Sequence, residues 1–233
     1  MIPDRCSRTS SRAPDVLPSE AANRRSGARG ARVSELIGNA RQRVQHLIRT
    51  RLPGLAHHVD ALHLLEDRRL LVEVIFPYLN DDPGIRKILF VGCDWYTKPY
   101  EKIFRRKEYW TLEINPEKRR YGAERHIVDA LWNLPRHLAP GYFDAIVCNG
   151  VFMVTAIETR EHAEPSFMAC HASLRSGGLF VLGWNDTAEL RPYPPEESES
   201  LARFERFVFP PLSTDRHLTN TDYRHVYSFF VKP

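Results

Sequence analysis

The sequence predicts a doubly wound α/β fold: a mostly parallel, seven-stranded sheet preceded by N-terminal helices. Three observations predict it. Short apolar runs recur from Lys87 onward, each closed by a glycine, a carboxylate or an amide. Helical stripes at i, i+3, i+4 spacing fall between several of these runs. The hydrophobic fraction, 42% of 233 residues, is enough to cover a sheet on both faces and excludes global disorder.

Ile88-Leu89-Phe90-Val91-Gly92 is an apolar run that suits a strand buried on both faces. Tyr100, Ile103 and Phe104 supply a helical stripe after it. Tyr109-Trp110-Thr111-Leu112-Glu113 reads as a second strand, His126-Ile127-Val128-Asp129 as a third, and Phe143 to Asn149 as a fourth. Phe167, Cys170, His171 and Leu174 share a helical face, with Gly177-Gly178 expected as its C-cap. Leu179 to Trp184 is the fifth strand. Phe207-Val208-Phe209 and Tyr227 to Val231 are expected to add two more, antiparallel. Strands alternating with helices imply βαβ crossovers and hence a parallel sheet.

Ahead of Lys87 the texture differs. Residues 1–30 are rich in Ser, Arg, Ala, Gly and Pro and are expected to be a disordered basic tail. Residues 31–84 read as a helical extension or lid, leaving 85–233 as the α/β domain. Val33, Leu36, Ile37, Ala40, Val44, Leu47 and Ile48 form one amphipathic stripe, and Leu64 through Leu79 a second, stopped by Asn80-Asp81-Asp82-Pro83-Gly84. Residues 1–32 hold seven Arg against Asp4, Asp15 and Glu20, which accounts for the whole net charge of +4. The other 26 basic and 26 acidic residues cancel, so the domain carries no basic surplus of the kind a nucleic-acid groove needs. The tail reads as solvated, with anionic-surface binding or organelle targeting as weaker alternatives. No apolar run approaches the roughly 18–20 residues that span a bilayer. Four separated cysteines without C-x-x-C pairing, and no apolar signal core, fit free thiols in the cytoplasm. The sequence carries no signal for an oligomeric state.

In such sheets ligands bind beyond the carboxyl ends of the strands, near the point where strand order reverses. Gly92 there lets backbone approach a ligand without a Cβ in the way, although tight turns need glycine as often. Glu113, 21 residues on, ends the second strand, where a carboxylate can accept from both ribose hydroxyls. Its plain alternative is a surface acid beside Lys118 and Arg119. Asp129 follows the third strand and is either an acceptor for an adenine amino group or a helix N-cap. Asn149-Gly150 closes the fourth strand with an amide and a flexible turn, suited to the cofactor's amino-acid part or to substrate.

These segments together resemble the class I S-adenosylmethionine (SAM)-dependent methyltransferases, with their Rossmann-like sheet, over about Lys87 to Val231. The resemblance is carried by Leu89-Phe90-Val91-Gly92-Cys93-Asp94, Leu112-Glu113-Ile114-Asn115-Pro116, Val128-Asp129-Ala130, Phe143 to Asn149, and Leu174-Arg175-Ser176-Gly177-Gly178-Leu179. It implies SAM as cofactor, with Gly92 contacting it, Glu113 on the ribose and Asp129 on the adenine. One departure stands out. The family's first motif has an acid within the strand and alternating glycines after it; here Phe90 and Cys93-Asp94-Trp95-Tyr96 occupy those places. Either Asp94 takes over a contact to the cofactor's ammonium group, which is the favoured expectation, or the loop runs differently, or cofactor binding is lost.

Methyl transfer to a hydroxyl also needs a base. His162, after the fourth strand, and Asp186, after the fifth, are the candidates on position, with His217 and His225 behind them. Trp95, Tyr96, Tyr100, Phe152 and Trp184 are expected near the mouth, favouring a small-molecule or glycan hydroxyl as acceptor. An Asn-Pro-Pro-Tyr-like motif is absent at the fourth strand, which with the neutral domain argues against nucleic acid as substrate. No Asp/His cluster has metal-ligand spacing, so a metal-independent enzyme is expected. A nucleotide-dependent oxidoreductase would need a G-x-G-x-x-G turn, of which only Gly92 is present. A non-catalytic binding module on the same fold is the second reading, because the first loop is so altered.

Overall fold

The computed structural model describes residues 65–153 and 156–233. The expected tail and the first helical stripe lie outside the described residues.

The first strand, β1 (Lys87–Val91), pairs in parallel with β2 (Glu108–Glu113) on one side and β4 (Phe143–Phe152) on the other. Outward from these lie β3 (Arg125–Val128) beside β2 and β5 (Leu174–Asn185) beside β4, both parallel. The sheet closes with β6 (Glu205–Arg206), β7 (Arg216–Leu218) and β8 (His225–Val231), giving eight strands in the order β3-β2-β1-β4-β5-β8-β6, with β7 also on β8. Strand order reverses between β1 and β4, so a crevice is expected at their carboxyl ends. β4 is central, and its first seven residues are all buried, as a strand covered on both faces requires.

The connections are reduced. Only a four-residue helix, α2 (Tyr100–Ile103), links β1 to β2. Short 3₁₀ helices, Pro116–Tyr121 and Leu131–Arg136, follow β2 and β3. A 14-residue helix, α3 (Arg160–Ser173), crosses from β4 to β5. Ahead of the sheet stands α1, built from Glu66–Leu70 in α geometry, Leu71–Ile75 in π geometry and Phe76–Asp81 in α geometry. Its widened middle has a local cause: Pro77 has no N–H to return to the carbonyl four residues back, and its ring crowds that carbonyl. The Phe76 N–H instead reaches the Leu71 carbonyl, five residues back. Leu71, Ile75, Phe76 and Leu79 are fully buried. Phe76 meets Phe90 of β1, Tyr100 and Phe104 edge-on at centroid distances of 6.1, 4.9 and 5.0 Å, pinning α1 to the sheet.

Three expectations need correction. The edge strand expected at Phe207-Val208-Phe209 is divided: β6 pairs Glu205 and Arg206 with one half of β8, and β7 pairs Arg216–Leu218 with the other. Between them the chain leaves the edge through Pro210-Pro211, which have no N–H to donate to a ladder. Phe209 stacks on Phe229 at 4.3 Å instead of continuing a strand. Gly177-Gly178 is not a helix cap. α3 ends at Ser173, Leu174 is already extended and paired with Phe143, and Gly177 (φ 71°) bends β5 so that its N–H meets the Lys232 carbonyl. Of the aromatics expected at the mouth, Tyr100, Phe152 and Trp184 are core residues, each 6% exposed or less.

The foot of the sheet is tied by one carboxylate. Asp144 accepts the Arg86 and Lys87 N–H groups, each at 2.8 Å, and Arg175 Nε at 2.6 Å, joining the starts of β1, β4 and β5. Burial pushes its pKa up, but the Arg175 hydrogen bond and the two amides outweigh burial and hold it below the usual carboxylate range. Asp144→Ala strips three donors of their acceptor; we expect a loss of about 2–3 kcal/mol, read from urea unfolding midpoints, with Asp144→Asn losing less.

Candidate functional site

At the reversal point the loops after β1, β2 and β4, with α1 above them, enclose a cavity of about 420 Å³. Gly92 opens its floor. Its N–H continues the ladder to the Leu112 carbonyl at 2.8 Å, and it adopts φ 88°, a left-handed conformation that disfavours other residues. An added Cβ would lie 2.6 Å from Val151 Cγ1.

Glu113 is buried beside it and organises both neighbouring loops. Its Oε2 accepts the Cys93 N–H at 2.8 Å and its Oε1 the Asn115 N–H at 2.9 Å. Each oxygen keeps lone-pair capacity beyond one such bond. The loop after Gly92, which lacks the expected glycines, is closed by Thr97: its Oγ1 accepts from the Asp94 N–H at 3.0 Å and donates to the Asp94 carbonyl at 2.8 Å. Cys93 and Thr97 are thereby buried, and Tyr96 lines the cavity. Asp94 also lines it, but Oδ1 caps the Trp95 N–H at 2.7 Å and Oδ2 is paired with Lys118 Nζ at 2.9 Å. Burial pushes the Asp94 pKa up, while the Lys118 and Trp95 hydrogen bonds bring it below its ordinary value.

Asn149 lines the cavity from the end of β4. Its Oδ1 lies 3.0 Å from Nε2 of His225, whose Nδ1 lies 2.8 Å from Asn185 Oδ1. Burial lowers the His225 pKa to about 4, so the ring is neutral near pH 7 and has a single N–H. One of the two amides must therefore turn its NH₂ toward the ring. Asn149 Nδ2 is buried without a partner, and rotating that amide would let it donate to Nε2. Gly183 makes room for this cluster: a Cβ there would sit 1.8 Å from Asn149 Oδ1.

Gly92, Asp94, Glu113 and Asn149 thus share one cavity; Asp129, His162 and Asp186 do not line it. Asp129 acts at the start of the Leu131–Arg136 turn, accepting from the Ala130 N–H at 2.7 Å, Asn133 Nδ2 at 2.9 Å and His137 Nε2 at 2.8 Å. The Asn133 and His137 hydrogen bonds hold its pKa down to about 2. Only its neighbours Leu131 and Trp132 reach the cavity wall. His162 stacks on Trp132 at 4.8 Å, 15° from coplanar. Asp186 is bound by Arg191, by Arg216 at 2.9 Å and by Arg224 at 3.6 Å. His217 lies on β7, at the sheet edge. Arg68 of α1, which sequence reasoning passed over, does line the cavity. It is one of four consecutive charged residues, Glu66 to Arg69, and nothing in the sequence sets it apart from the other three.

Among the described residues no group of three or more His, Cys, Asp or Glu is placed to hold a metal ion, and no helix is long and apolar enough to cross a membrane.

No family model matches the chain, and no curated protein matches it either. Solved structures do resemble it. The N-methyltransferase NodS from Bradyrhizobium japonicum WM9 is 15% identical with a TM-score of 0.50, covering 68% of this chain and 93% of its own. The same enzyme in complex with S-adenosyl-L-homocysteine is 12% identical, TM-score 0.50, over 76% and 97%. A SAM-dependent methyltransferase from Methanosarcina mazei is 14% identical, TM-score 0.50, over 67% and 96%. The chain has the class I methyltransferase fold.

Two expectations follow from the geometry. Gly92→Ala is strained by both its φ and Val151, and is expected to cost more than about 1 kcal/mol, visible as a lowered urea midpoint. Asp129 has its folded pKa depressed below the roughly 3.9 of a free side chain, so its stabilising contribution is complete above about pH 4 and lost as pH falls toward 2. Asp129→Asn should therefore narrow the stability difference between pH 5 and pH 2.5 relative to wild type, measured by chemical unfolding.

Proposed function

We propose that the chain is a SAM-dependent methyltransferase acting on a small-molecule acceptor. The observation that carries the reading is the cavity at the β1/β4 reversal, framed by Gly92, which offers backbone without a Cβ, and by Glu113, which keeps acceptor capacity at the end of β2. Glu113 would take the ribose hydroxyls, and Ile114, Leu131 and Trp132 would flank the adenine ring. Gly92 and Asn149 would border the amino-acid end. SAM itself supplies a methyl group on sulfonium sulfur, transferred by in-line displacement.

The protein's part is alignment and exclusion of water. The glycan or small-molecule hydroxyl expected as acceptor was tied to a base at His162 or Asp186. Neither lines the cavity, and both carboxylates that do, Asp94 and Glu113, are engaged by donors. The acceptor favoured by this geometry is therefore a small molecule whose nucleophile needs little help, such as a neutral amine or an acidic phenol. A second reading, a non-catalytic binding module on the same fold, is favoured by the Asp94–Lys118 pair, since a cofactor ammonium at Asp94 would have to displace Lys118.

Calorimetric titration tests both. Wild type is expected to bind SAM in the micromolar range, and Glu113→Gln at least about tenfold more weakly, since hydrogen bonds to charged groups contribute about 1.5–3 kcal/mol. No heat with high-micromolar SAM would sink the cofactor assignment. Methyl transfer to a panel of amines, phenols and sugars then separates enzyme from module.

A further inference from the structure

Arg68 lies in α1, ahead of the strands that build the cavity. Its Cζ sits 4.8 Å over the Tyr96 ring centroid, and its Nη2 faces Gly150, where an added Cβ would come within 3.9 Å of it. The side chain is only 18% exposed. Asp67 is its acidic neighbour, but the contact is long, 3.5 Å from Nε to Oδ2, against the 2.7–2.9 Å of a close charge-assisted bond. Asp67 Oδ1 is meanwhile engaged by the Tyr223 hydroxyl at 2.8 Å. The other cation lining the cavity, Lys118, is held tightly by Asp94 at 2.9 Å. Arg68, which also hydrogen-bonds the Tyr100 hydroxyl, therefore brings a permanent charge and the remaining donors of its planar fork to the β4 side of the cavity.

We propose that Arg68 is the carboxylate anchor of this cavity. The fork matches a carboxylate bidentately, and a desolvated guanidinium gains most from such a partner. The inference rests on the SAM reading above. With ribose at Glu113 on β2, the amino-acid end of the cofactor would extend past Gly92 toward β4, within reach of Arg68; a carboxylate on the acceptor is the other source of the same chemistry.

Calorimetry on the full chain distinguishes them. In the first arm, SAM is compared with decarboxylated SAM, which keeps the nucleoside, sulfonium and amine. A cofactor source is supported if wild type binds SAM at least tenfold more tightly and Arg68→Met abolishes the difference by weakening SAM alone, with Arg68→Lys intermediate. In the second arm, protein saturated with S-adenosylhomocysteine is titrated with benzoate and with benzamide. An acceptor source is supported if the first arm shows no discrimination but benzoate is preferred and Arg68→Met removes that preference. The wild-type comparisons stand even where a variant fails to fold. If SAM and decarboxylated SAM bind alike and benzoate is not preferred, the anchor is overturned while the cofactor reading stands; if neither cofactor form binds, both fall.

Discussion

The ligand-facing end of this molecule depends on one buried carboxylate. Glu113 accepts a backbone N–H from the loop after β1 and another from the loop after β2. The two loops would otherwise be independent excursions from adjacent strands, each with an amide to satisfy. Sharing one acceptor group fixes their relative height, and with it the place of Gly92, Asp94 and Ile114. Polar groups buried together in this way rigidify when every donor is met. A glycine-rich loop would reach a similar end by lacking side chains. Here the turn is closed by Thr97 and its outer face is tethered through Asp94 to Lys118, so bulkier residues are accommodated by being tied down.

The strands and their order of appearance were legible in the sequence because a sheet covered on both faces demands continuous apolar runs, and Leu89, Ile146 and Phe180 belong to such runs. Glu113 was legible for a related reason: a carboxylate ending a buried strand has few places to go except the crevice. Asp129, Asp186 and His162 were placed by the same positional rule, and none of the three lines the cavity. The Ala130 N–H with the Asn133 and His137 side chains captures Asp129, Arg191, Arg216 and Arg224 capture Asp186, and Trp132 offers His162 a flat face. Local competitors of this kind leave no periodic signature.

What sequence reading had no means to see is how the C-terminal segment holds α1 so that Arg68 reaches the cavity. Tyr223 donates to Asp67 across 156 residues and Tyr227 to the Asp67 carbonyl across 160, while Asn220 N–H meets Glu66. These bonds seat α1 on β8 and carry Arg68 over the crevice. His225, on the same strand, reaches back 76 residues to set the amide of Asn149. Both effects depend on the antiparallel register of β8 with β5, which follows from tertiary packing and not from any pattern within β8 itself.

The divided margin formed by β6 and β7 has a consequence of another kind. An outer strand of ordinary length exposes a regular row of unpaired amides and carbonyls on which a second polypeptide can add. Two residues of β6 and three of β7, parted by a proline pair, present that row only in fragments. The hydrophobic β8 is thus screened without a new template being raised outside it, and this flank of the sheet resists growth by strand addition from neighbouring molecules.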